Sequence, residues 1–68
     1  MYKTYRIISN TYFKGLNRWS GEEYVKRNGS IMEFTDEDVC REFIKNELIP
    51  MYNNWSNLMM TFRIQGIK

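Results

Sequence analysis

The chain has 68 residues, 43% of them hydrophobic and 16% aromatic, with a formal net charge of +2. That length holds one domain, spanning residues 1–68, with a small core and marginal stability. The composition of no histidine and one cysteine excludes Ser-His and Cys-His nucleophile systems, an internal disulfide and a structural zinc site.

The first segment, Tyr2–Ile8, is rich in aromatic and β-branched residues and reads as a strand. Ser9-Asn10 then predicts a turn, and Thr11–Phe13 a short second strand. Lys14–Gly21 shows neither a helical nor a strand period and carries two glycines, so it is expected to be an ordered loop.

Glu22–Arg27 and Ser30–Phe34 flank Asn28-Gly29, which has the chemistry of a two-residue type I′ hairpin turn. Across it Val25 and Ile31 are expected to share one face, and Tyr24, Met32 and Phe34 the other. Thr35 reads as the N-cap of a helix, with Asp38 three residues later in a near match to the capping box. Val39, Cys40, Phe43, Ile44 and Leu48 recur at one-face spacing, Glu37 with Arg41 forms an i,i+4 pair, and Pro50 is expected to end the helix. Met51–Asn57 reads as a polar connection holding Tyr52 and Trp55. Leu58, Met60, Phe62 and Ile64 then alternate with Met59, Thr61, Arg63 and Gln65, a strand with the first set facing the helix.

These elements give an α+β fold in the order β-(β)-β-β-α-β, an antiparallel sheet of three to four strands with one helix on one face. The predicted core beneath the helix is Val39, Phe43, Ile44, Leu48, Met60, Phe62 and Ile64.

Little in the sequence points to chemistry. Asp36-Glu37-Asp38 suits the positive end of a helix better than a cation site. Cys40 lies on the apolar helix face and reads as packing. The glycines match no phosphate-cradling motif. No catalytic, cofactor or metal residue is assigned. One candidate partner-binding set remains: Lys14, Arg18 and Trp19, where basic residues and a large aromatic share one irregular segment, with Tyr12 and Phe13 just before it and Lys26 and Arg27 as candidate neighbours. Such a set suits a protein hot spot or stacked bases over phosphates. Against it stands the reading in which Trp19 folds inward to extend a small core.

The expected function is therefore a non-enzymatic binding protein that engages another protein. The alternative is a small nucleic-acid-binding module using the Lys14–Trp19 loop. A homodimer is open, since so small a core gains from a partner. The N-terminus lacks the apolar stretch of a signal peptide, no apolar run approaches the ~20 residues of a membrane span, and one unpaired cysteine fits a reducing compartment. A cytoplasmic protein is expected. The lack of alanine, with abundant Ile, Asn, Lys, Tyr, Phe and Met, indicates an AT-rich coding sequence and fits a phage or mobile-element accessory.

Overall fold

A computed structural model describes residues 2–52 and 56–68. The fold is α+β. Strands β1 (Thr4–Phe13), β2 (Arg18–Tyr24) and β5 (Leu58–Ile67) form an antiparallel sheet in the order β2-β1-β5. Strands β3 (Lys26–Arg27) and β4 (Ser30–Ile31) form a separate ribbon, and helix α1 (Glu37–Phe43) follows. A π-helical turn, Ile44–Leu48, joins α1 to the short helix α2 (Ile49–Tyr52).

β1 is the hub of the sheet. It is continuous through Ser9-Asn10, where the sequence predicts a turn. Ser9 is buried, its hydroxyl donates to the Glu23 carbonyl at 3.4 Å, and both residues pair across to β5, so their turn preference yields to the ladder. One edge of β1 pairs with β5 over its whole length, from Thr4↔Ile67 to Phe13↔Leu58. The other edge is shared. β2 occupies it from Phe13 back to Ile8, Val25 N–H donates to Ile7 C=O at 2.9 Å, and Phe34 then bonds Tyr5 in both directions. Between Val25 and Phe34 the chain leaves the sheet as the β3-β4 ribbon.

The predicted loop Lys14–Gly21 is a hairpin turn, Lys14–Asn17, followed by the first part of β2. Asn17 closes the turn at φ 54°, a left-handed conformation that Asn tolerates better than most residues. The register shifts between Asn10 and Tyr12, where Ser20 and Gly21 oppose Thr11 alone. Gly21 at φ 102° supplies the conformation that this bulge requires. The Asn10 side-chain carbonyl accepts from Gly21 N–H at 3.2 Å, and Ser20 Oγ accepts from Thr11 N–H at 3.3 Å, so the interrupted ladder is repaired by side chains.

The Asn28-Gly29 turn forms as its sequence predicts, with φ of 53° and 83°. The flanking residues differ from expectation. Because the strand breaks at Val25, Tyr24 stays with the main sheet while Phe34 packs into the core, so these two do not share a face. Val25 also packs against the core, and Ile31 is exposed.

The helix cap is Asp36 and not Thr35. The Asp36 carboxylate accepts from Asp38 N–H at 2.7 Å, and the Asp36 carbonyl accepts from Cys40 N–H. Glu37 and Asp38 both bind Arg41, at 2.8 and 3.1 Å. Pro50 does not end the helix. The preceding turn is widened so that Ile49 N–H reaches Ile44 C=O. A proline inside an α-helix lacks the donor for residue i−4 and crowds its carbonyl. Here the widened turn ends at Leu48, immediately before Ile49-Pro50, and the helix runs on to Tyr52.

The core lies between this helical segment and one face of the sheet. Ile7, Cys40 and Leu48 are its buried centre, with Tyr5, Val25, Phe34, Phe43, Ile44, Tyr52, Phe62 and Ile64 around them. The alternation of β5 follows the predicted phase: Leu58, Met60, Phe62 and Ile64 are part-buried, while Met59, Thr61 and Arg63 are exposed. Val39 departs from expectation and is 49% exposed. Cys40 and Phe43 take the inward positions, and Val39 is left on the wall of a shallow groove with Met32 and Phe34. The predicted position of Trp55 lies outside the described residues. No described helix is long and apolar enough to cross a membrane.

Candidate functional site: the open face of the sheet

Strand alternation sends Ile7 and Phe62 toward the helix and their neighbours to the opposite face. Among the described residues, no helix or strand lies over that second face. Cross-strand register arranges it in rows. Trp19, Tyr12 and Met59 lie abreast nearest the Lys14–Asn17 turn, then Glu22, Asn10 and Thr61, then Tyr24, Ile8 and Arg63, with Arg6 and Gln65 beyond.

The two ends of this face differ in chemistry. At the far end, side chains from distant parts of the chain satisfy one another. Arg6 binds Glu33 through Nε and Nη2 at 3.0 and 2.8 Å. Its guanidinium also lies 5.3 Å from the centre of the Tyr24 ring. Tyr24 reaches over β1, and its hydroxyl donates to Gln65 Oε1 at 2.7 Å. Arg63 spans the sheet to Glu22, with bonds of 2.8 and 3.3 Å. Together these side chains roof Ile8, which is 7% exposed although it sits on the uncovered face. Hydrogen bonding from Arg63, and then its charge, holds the Glu22 carboxyl below the usual carboxylate range. The Arg6 and Arg63 guanidinium groups are pushed up, each chiefly by its carboxylate hydrogen bond.

At the near end the face is apolar and open. Trp19 is 44% exposed and Met59 46% exposed. The Trp19 ring packs at 5.1 Å, tilted by 56°, against half-buried Tyr12. The Tyr12 hydroxyl donates to Asn17 Oδ1, which ties this aromatic pair to the hairpin turn.

The predicted site residues are thus parted by the strand. Trp19 lies on the open face, outside the core. Arg18 is the adjacent strand residue, paired with Phe13, and its side chain belongs to the opposite face. Lys14 stands in the turn, at the mouth of a groove with Ile49, Tyr52 and Leu58 on the helix side. All three are exposed and cluster at one end of the molecule, but Trp19 alone joins the apolar patch. Sequence reading placed Tyr12 beside this segment without its cross-strand pairing to Trp19, and it missed Met59. The register places them there, and no local spacing reveals it.

Comparison with protein-family models, with curated proteins and with solved structures finds no match to this chain.

Proposed function

We infer that this chain is a non-enzymatic binding protein whose contact surface is the open sheet face, anchored by Trp19, Tyr12 and Met59. The observation that carries this reading is an exposed tryptophan and an exposed methionine flanking a tyrosine on a face that no described element covers. Aromatic and methionine side chains are enriched at the centres of protein interfaces. The rim fits as well: the Glu22–Arg63 and Arg6–Glu33 pairs supply polar groups already neutralised in pairs. A protein is therefore the favoured partner. Single-stranded nucleic acid can stack on Tyr12 and Trp19, but it needs cations free for phosphates, and the arginines of this face are each held by a carboxylate. The AT-rich composition supports a mobile-element setting in which the partner is a host protein.

The test is site-specific photo-crosslinking from position 59 in cells, with exposed Glu42 on the helix as the control position. The expected result is an adduct at 59 with a protein other than a second copy of this chain, missing at 42, and at least a tenfold weaker complex for Trp19→Ala. Trp19 is a surface residue whose Tyr12 contact is worth ~1 kcal/mol, so the variant stays folded. Adducts at 42 alone, or unchanged affinity in folded Trp19→Ala, refute the assignment. Steeply salt-dependent binding of oligonucleotides in place of a protein adduct moves the reading to nucleic acid.

A further inference from the structure

The two edges of the main sheet are protected very differently. β2 carries the Ser20-Gly21 bulge and the adjacent carboxylates Glu22 and Glu23. Bulges and charges of this kind prevent a further strand from pairing. β5 has no bulge, and its one charge, Arg63, is paired with Glu22 of its own chain. It runs for 10 residues in unbroken register with β1, without proline, lysine or bulge, and among the described residues it pairs with β1 alone.

The orientation of its free groups follows from one bond. Lys14 N–H donates to Asn57 C=O at 3.0 Å, so Asn57 and every second residue after it turn their backbone polar groups toward β1. Leu58, Met60, Phe62, Ile64 and Gly66 therefore present theirs outward.

We propose that β5 is the contact strand of a homodimer, pairing antiparallel with β5 of a second copy about a two-fold axis at Phe62. With this centre every outward residue from Leu58 to Gly66 finds a partner. On the helix side Phe62 faces Phe62, Met60 faces Ile64, and Leu58 faces Gly66. On the open face Thr61 faces Arg63, and Met59 faces Gln65. No like charges stand directly opposite, and each Arg63 is neutralised by Glu22 of its own chain. A two-fold at Arg63 would instead set arginine against arginine, which disfavours that register. The pairing is isologous and uses the unprotected edge of both copies, so the assembly closes at two and does not continue into a fibre. It yields one six-stranded sheet with Trp19 at each far corner and Met59 beside the seam. The dimer stands apart from the binding role of Trp19 and survives its failure.

The experiment is sedimentation equilibrium of the purified full chain up to millimolar concentration, with paired substitutions at Thr61. Thr61 is exposed on the open face, so either charge is tolerated in the monomer. Thr61→Lys sets like charges against Arg63 at both symmetric positions and should raise the dimer dissociation constant about tenfold. Thr61→Glu sets opposite charges there and should hold or lower it. Met60→Pro removes an outward N–H without touching the β1 ladder and should give a folded monomer by circular dichroism. A wild-type monomer throughout the range overturns the proposal. So does an equal effect of Lys and Glu at position 61, or a folded Met60→Pro variant that dimerises as tightly as wild type.

Discussion

Replacing Asp36 with alanine removes the acceptor for Asp38 N–H, a bond of 2.7 Å at the first turn of α1. A lost N-cap costs about 1 kcal/mol, within a range of ~0.5–2. Loss of the carboxylate from the positive end of the helix adds a few tenths, because Glu37 and Asp38 remain nearby. For 68 residues the unfolding entropy near 60 °C is about 0.14 kcal/mol/K, so Asp36→Ala should lower the melting temperature by about 7–10 °C. The assay is thermal unfolding followed by far-UV circular dichroism, with Thr35→Ala and Asp36→Ser as companions. Ser keeps an acceptor at the cap and should recover most of the loss. Thr35 makes no capping bond and should change little. A larger loss from Thr35→Ala than from Asp36→Ala, or no loss from Asp36→Ala, refutes the reasoning.

Gly29→Val should destabilise the β3-β4 turn by at least ~1–2 kcal/mol, since a β-branched residue resists φ 83° although the surrounding space is open. Gly15→Val, where the space is also open and the φ is not positive, should be much milder in the same denaturant titration. Cys40 is fully buried, and its thiol is pushed up first by desolvation and then by Glu37 and Asp36. It should label slowly with a thiol reagent in the native state and rapidly in denaturant; fast native labelling contradicts the packing. A raised folded pKa means that its contribution to stability is complete below the ordinary thiol range and lost as pH rises through the folded value, so Cys40→Ala should flatten the alkaline fall in stability.

Features with a short period or a fixed local chemistry were legible in the sequence. The Asn28-Gly29 turn needs only two residues with positive φ, and the alternation from Leu58 to Gln65 needs only a strand with one face on a core. The misreadings have equally local causes. Ser9-Asn10 carries turn residues, but burial of Ser9 and repair of the bulge by the Asn10 side chain use those polar groups inside a strand. Thr35 and Asp36 are adjacent cap formers, and the near match of Asp38 to a capping box favoured Thr35, whereas the Asp36 carboxylate makes the capping bond. Pro50 is an ordinary helix breaker until a π-helical turn precedes it. The open face was hidden for another reason. Arg6 with Glu33, Tyr24 with Gln65 and Arg63 with Glu22 are separated by 27, 41 and 41 positions. Such pairs exist only once the register is set, so Trp19 and the preceding Tyr12 could be noticed while Met59 and the cross-sheet pairs could not.

The central place of β1 also dictates how the molecule assembles in time. Its pairing with β2 closes through the short Lys14–Asn17 turn and can zip on the microsecond scale of a local hairpin. Its pairing with β5 brings Thr4 to Ile67 and must close nearly the whole sequence into a loop. Long-range pairing of this kind slows folding. Until it forms, the half-built sheet exposes the β1 edge that β5 will fill, alongside Ile7 with no strand beside it. Slow docking of β5, rather than formation of either hairpin, is therefore the expected rate-limiting step, and stopped-flow refolding should show a single slow phase that Phe62→Ala slows more than a substitution in the Lys14–Asn17 turn.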